Sequence, residues 1–221
     1  MFGELFRAAE FRREDAIVSE KLWWEFWPRE SAADELDASL GRLRFDHVDL
    51  IYCTTLPAEL SVEQAVAEVA ALLAAAAQGI EPPCAAQMAY SLLSRAEAEG
   101  LQMTAALRRA GAGPVASAAL EGGLLTGKYD SPAATGRLAG GHDDPARRAA
   151  LDTARALRTL AAEWGTSAAA LAVAFVLDPP ALASVLVGAP APAQLDEVVA
   201  GVALHAELSD DDRARLRGLA G

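Results

Sequence analysis

Strand-like and helix-like segments alternate along the 221 residues, and this alternation predicts an α/β fold with a parallel sheet and crossover helices. Breaks between the segments support it: Pro82-Pro83 and Asp178-Pro179-Pro180 each stop one element before the next strand-like run. No glycine fingerprint follows the first strand, which argues against a dinucleotide-binding doubly wound sheet. Periodicity alone leaves an open sheet and a closed barrel both available.

Each element follows in order. Phe2, Leu5, Phe6 and Ala9 mark a short first helix. Ala16-Ile17-Val18-Ser19-Glu20-Lys21 reads as a buried strand ending in a charge. Leu36, Leu40 and Leu43 recur at helical spacing, and Val48 to Cys53 is the next strand. Ser61-Val62-Glu63-Gln64 is a capping box, opening a helix that carries Val62, Val66, Val69 and Leu73. A strand is expected near Cys84 to Tyr90, a helix over Leu101 to Arg109 and a strand from Pro114 to Leu120. Tyr129 to Pro145, rich in Gly, Pro, Asp and Ser, is expected to be a flexible loop. Leu151, Ala154, Leu157, Ala161 and Trp164 then share one helix face. Thr166 is placed to cap the next helix, and Ser184 to Val187 forms the last strand. Leu195, Val198, Val199 and Val202 stripe a further helix, and Ser209 with Asp210 to Asp212 caps the final one, where carboxylates favour a helix N-terminus. The parallel strands are therefore expected near residues 16–21, 48–53, 84–88, 114–119 and 184–187.

Composition bounds the function. Hydrophobic residues make up 52% and charged residues 23%, enough apolar material for a globular core. The net charge of -12 repels phosphate backbones and anionic lipid, so neither nucleic acid nor a membrane surface is an expected partner. Cys53 and Cys84 lie in apolar stretches and read as core residues of a reduced, cytoplasmic protein. Met1 to Asp15 is charged and amphipathic, unlike a secretory leader. The longest uncharged apolar run, Ala168 to Leu177, falls short of the roughly 18 residues a membrane span needs. His47, His142 and His205 are scattered without metal-ligand spacing, so no metal is expected.

An ordered series of motifs carries a family resemblance. It begins at Lys21-Leu22-Trp23-Trp24 and continues through Ala38-Ser39-Leu40-Gly41-Arg42-Leu43 and Val48-Asp49-Leu50. It then runs through Pro82-Pro83-Cys84 with Gln87 and Tyr90, and Gly122-Gly123-Leu124-Leu125-Thr126-Gly127-Lys128-Tyr129. Ser184-Val185-Leu186-Val187-Gly188-Ala189 and Gln194-Leu195 with Glu197 complete it. This series resembles the aldo-keto reductases, most closely the branch that contains voltage-gated potassium-channel β subunits. The resemblance implies one domain over residues 1–221, an α/β chain folded as an incomplete (β/α) TIM-type barrel with about five of the eight strands. By the same resemblance the first two strands are missing, with the segment bearing the catalytic Asp and Tyr. A second gap follows Ala74 and removes the fifth strand. Unpaired strand edges and bare helix faces then favour self-association, most simply as a homodimer.

The resemblance also assigns the site. Carbonyl reduction needs a hydride donor and an acid for the oxygen. In the family the acid is a Tyr sharpened by a Lys. Lys21 matches that Lys, but none of Tyr52, Tyr90 and Tyr129 matches the Tyr, and Thr54 stands at the substrate-orienting His. Trp23 and Trp24, with Phe26 and Trp27, crowd around Lys21 either as pocket walls or as a hydrophobic plug. The cofactor implied is NADP(H). Gln87 matches a nicotinamide contact, and Leu120, Lys128, Arg137, Gly188, Gln194 and Glu197 match positions along the pyrophosphate and adenosine half. The stacking aromatic is replaced by Ser117, and the next two positions by Ala118 and Ala119. Three functions stay open: an NADP(H)-dependent oxidoreductase with lost or greatly weakened activity; a non-redox enzyme (cyclase, lyase or dehydratase) using Lys21 on a small molecule; and a non-catalytic binding or regulatory subunit.

Overall fold

The structure is a computed structural model that describes residues 2–53, 59, 64, 84–131, 133–135, 138–139 and 144–220. The chain divides into two compact units, Met1–Glu81 and Pro82–Gly221.

The first unit holds α1 (Phe2–Ala8), β1 (Ser19–Leu22), α2 (Ala32–Leu43) and β2 (Leu50–Cys53). β1 and β2 pair in parallel, Lys21 opposite Tyr52, so α2 is a crossover helix. Ser31 starts α2 with a capping box: its hydroxyl accepts from the Asp34 N–H while the Asp34 carboxylate accepts from the Ser31 N–H. Leu22, Trp24 and Ala32 form the buried centre, with Trp27, Leu36 and Ile51 packed around them. Asp49 ties the strand entrance, accepting from the Val18 N–H at 2.7 Å and from Arg13 Nη2 at 2.6 Å. These two donors hold the Asp49 carboxyl below the usual range, the Val18 N–H most strongly.

The second unit holds β3 (Ala85–Ala89), α3 (Ala96–Glu99), α4 (Leu101–Ala110), β4 (Gly113–Ser117), α5 (Pro145–Glu163), α6 (Ala168–Val176), β5 (Ser184–Val185), α7 (Pro192–Glu207) and α8 (Asp210–Arg217). Its sheet runs β3-β4-β5, parallel throughout. The core is built on α6. AAALAVAFV has no polar face, and every one of its residues is buried. Leu151, Leu157 and Leu160 of α5 join this core, as do Leu124, Leu125 and Tyr129 from the loop after β4.

Parallel strands overlap the expected stretches with different bounds: β1 starts at Ser19 rather than Ala16, and β5 ends at Val185 rather than Val187. Among the described residues they form a two-stranded and a three-stranded sheet, and neither closes as a barrel. Three expectations need correction. Thr166 is not the cap of α6; Ser167 is, accepting from the Ala170 N–H at 3.0 Å. Cys53 and Cys84 are exposed, because β2 is covered only at its middle residues and Cys84 precedes β3. Of the α7 stripe only Val198 is buried, alongside Gly201, whereas Leu195, Val199 and Val202 face outward. The helix docks through Gly201, where an added Cβ would meet the Ala170 carbonyl and the Val173 side chain of α6. Backbone approach sets its rotation, which a count of apolar residues misses. The cap of α8 stands as expected, with Ser209 pairing with Asp212, and Asp144 caps α5 by accepting from the Ala146 N–H. The capping box at Ser61 and part of the loop 129–145 lie outside the described residues. No single described helix is long and apolar enough to cross a membrane.

Candidate functional site

In parallel α/β folds, chemistry gathers at the C-terminal ends of the strands, where the loops converge. In the first unit that end belongs to β1 and β2. Side chains alternate along a strand, so Glu20 and Leu22 share one face and Lys21 takes the other. Glu20 reaches Ser39 of α2 at 3.0 Å and Leu22 is fully buried, so α2 covers their face. Lys21 lies on the opposite face, half-buried, with Nζ 5.8 Å from the Trp23 ring centre. Its register partner Tyr52 sits beside it on β2. The two tryptophans separate: Trp24 is 4% exposed among Leu22 and Ala32, whereas Trp23 is 61% exposed.

Glu35 of α2 organises this turn. Its carboxylate accepts from the Trp23 N–H at 2.7 Å and the Trp24 N–H at 3.1 Å. That bidentate grip supports Trp24 at φ +61°, a left-handed conformation that costs a bulky residue about 1–2 kcal/mol. In the sequence Glu35 is indistinguishable from any acidic residue of a first helical turn. Only the fold shows its role. Thr54 lies outside the described residues.

In the second unit the corresponding end is the edge where β3, β4 and β5 release their loops. Gln87 is exposed on β3, opposite Val115. Leu120 and the exposed Lys128 lie on the loop after β4, Gly188 follows β5, and Gln194 and Glu197 stand in the first turns of α7. Gln87 thus lies within β3, and the other five follow β4 or β5 in the chain. Lys128 Nζ rests 4.8 Å from the Tyr129 ring centre. Around Gly188 there is open space. α7 begins at Ala191 without a side-chain cap, so its first N–H groups have no side-chain acceptor. Arg137 lies outside the described residues.

Ser117 ends β4, and its hydroxyl is turned onto the Met88 carbonyl at 3.0 Å. It presents no ring to stack on. Glu121 stands in the loop just beyond, at φ +47°, and accepts from both Ser91 Oγ and Ser94 Oγ at 2.6 Å. This clamp joins the loops after β3 and β4, and the sequence offered no sign of it. Tyr90 is 3% exposed and donates to Glu99 at 2.8 Å. Burial first, and then the bond to Glu99, push its phenol up to about 12. Such a phenol gives up no proton near neutral pH. Among the described residues no group of three or more His, Cys, Asp or Glu is arranged to hold a metal.

The aldo/keto reductase family model matches residues 66–220. The chain is 27% identical over 226 residues to a probable voltage-gated potassium channel subunit beta of Oryza sativa subsp. japonica, covering 86% of this chain and 69% of that protein. The corresponding protein of Arabidopsis thaliana is 25% identical over 234 residues, 89% of this chain and 71% of that one. The L-glyceraldehyde 3-phosphate reductase of Escherichia coli K12 is 30% identical over 243 residues, 90% of this chain and 68% of the enzyme.

Proposed function

The chain belongs to the aldo/keto reductase family, and from that premise we propose that it is an incomplete (β/α) barrel in which carbonyl reduction is lost or greatly weakened while a phosphate-binding edge persists. One observation carries this reading: the nicotinamide side and the phosphate side of the second unit have fared differently. The serine at the end of β4 is bonded to backbone and leaves no stacking surface. The segments after β4 and β5 keep Lys128, open space at Gly188 and an uncapped start of α7. A helix N-terminus and a lysine attract phosphate.

The residues described therefore fit NADP(H) in part. Lys128, Leu120, Gly188, Gln194 and Glu197 would hold the pyrophosphate and adenosine half, and Gln87 alone would meet the nicotinamide. The cofactor supplies hydride when bound. No tyrosine stands at the position of the family's proton donor: Tyr90 is committed to Glu99, Tyr129 is fully buried, and Tyr52 lies on β2 beside Lys21. Losing the acid costs on the order of 100-fold in rate, and poor nicotinamide positioning costs more.

Titration of the protein with NADP+ and 2′,5′-ADP, followed by NADPH oxidation with a panel of aldehydes, tests the reading. Saturable binding of 2′,5′-ADP without turnover is the expected result. Robust NADPH oxidation would overturn it. Failure of both nucleotides to bind would remove the phosphate edge. A second reading, a non-redox enzyme acting on a small molecule, is favoured by Lys21 and Tyr52 standing in register at one strand end. An amine beside a phenol is an acid–base pair. Lys21→Ala would abolish such turnover with or without NADPH, and turnover surviving that change would dismiss it.

A further inference from the structure

We propose that the depression where the chain enters β5 binds an organic cation, a primary amine or guanidinium on a short apolar stem. It lies at the opposite end of the second unit's sheet from the edge described above. Leu177 to Pro180, Leu182 to Ser184, His205, Asp210 and Arg213 line it, and its volume is about 620 Å³. Small-molecule pockets of this size pair an apolar wall with a few convergent polar groups.

The sign of the ligand follows from the polar groups. Arg213 is already committed. Its Nη1 donates to Asp178 Oδ1 at 2.6 Å and lies 3.0 Å from His205 Nδ1, and its Nη2 donates to the His205 carbonyl at 2.7 Å. A guanidinium only donates, so Nδ1 faces Arg213 as an acceptor. Ala174 O also lies near Nδ1, at the longer distance of 3.2 Å. The carboxylates of Asp178 and Asp210 face a single guanidinium, that of Arg213. Asp210 takes no side-chain hydrogen bond or ion pair among the described residues, and the second oxygen of Asp178 is likewise open.

An anion would meet the wrong surroundings. The start of α8 is closed by the Ser209–Asp212 pair, with Asp210 and Asp211 beside it. The net charge of -12 adds to the repulsion. A cation is drawn in, and the wall of Leu177, Pro179, Pro180, Leu182 and Ala183 suits a few methylenes. The second oxygen of Asp178 and the Asp210 carboxylate are the acceptors for its N–H groups.

The test is an NMR titration of the full ¹⁵N-labelled chain with n-butylguanidine, n-butylamine, butanol and butyrate. The two cations should produce saturable shifts at Leu177, Ala183, Ser184 and His205, and butanol and butyrate should not. Asp210→Asn should weaken butylguanidine at least fivefold. Asp211→Asn, the same charge change on a residue that does not line the depression, should weaken it less than twofold. Both variants keep the Ser209–Asp212 cap and so keep α8. Equal losses in the two variants would reduce the effect to general charge attraction and overturn the site. Equal shifts with butanol would make it an apolar groove, and no saturable shift with either cation would dismiss it.

Discussion

Two helix glycines should respond to the same substitution with opposite signs. Gly41 lies inside α2 with nothing within 4 Å of an added Cβ, whereas at Gly201 in α7 that atom would meet Ala170 O at 2.7 Å and Val173 Cβ and Cγ1 at 2.8 and 2.9 Å. Replacing glycine by alanine in a helix interior gains about 0.5–1 kcal/mol when nothing opposes it. Gly41→Ala should therefore stabilise the first unit by about that much. At Gly201 the same gain is opposed by a backbone carbonyl, which cannot rotate away as a side chain can. Overpacking of a filled core costs about 1–3 kcal/mol, so Gly201→Ala should destabilise the second unit by about 1–2 kcal/mol net. Urea denaturation by far-UV circular dichroism gives both values from the midpoints if the slopes are unchanged. Should Gly201→Ala stabilise as much as Gly41→Ala, the close approach of α7 to α6 is wrong, and so is the explanation of which α7 face is buried.

Other expectations are equally measurable. Tyr90→Phe removes the bond to Glu99 and should cost about 1 kcal/mol at neutral pH. The wild-type phenol, raised from 10.0 to about 12, gives stability that is complete below pH 10 and falls as pH rises through 12, by about 3 kcal/mol. Stability of Tyr90→Phe should fall less across that window, and parallel pH curves would contradict the assignment. The lowered Asp49 carboxyl acts in the other direction: its stabilisation is present above the ordinary carboxylate range and is lost as pH falls through and below it. Asp49→Asn should flatten that acid limb for the first unit, as read by tryptophan fluorescence from Trp24 and Trp27. The outward Leu195, Val199 and Val202 of α7 predict self-association. Light scattering should give a homodimer mass that Val199→Glu with Val202→Glu lowers to 23.0 kDa, and a wild-type mass of 23.0 kDa would refute it.

Much of the second unit was legible because local rules act there without competition. The Ser209 and Asp144 caps need only neighbours in sequence, and α6 must be buried because no face of it is polar. The misses involve partners distant in the chain. Glu35 lies 12 residues from Trp23, and Glu121 lies 30 from Ser91, so neither spacing belongs to a helix or strand period. α7 was misread because both of its faces carry apolar residues, so periodicity had no single answer, and the decisive feature was the absence of a side chain at Gly201. Lys128, Gly188 and Gln194 are assigned by an ordered match alone, whereas the neighbour of Lys21 on β2, Tyr52, requires strand register.

The wholly buried α6 has a consequence for synthesis in the cell. The helix ends at Val176, and the segments that cover it from the far side, α7 and α8, end at Glu207 and Arg217. A ribosome adding roughly 5–20 residues per second needs about 2–8 seconds to pass from Val176 to Arg217, and the oily segment lacks its lid for that interval. During that interval it is a ready substrate for a holdase at the exit port. Expression yield should therefore depend on the supply of such helpers more than on the stability of the finished protein, and slow codons placed after Val176 should turn soluble product into inclusion bodies.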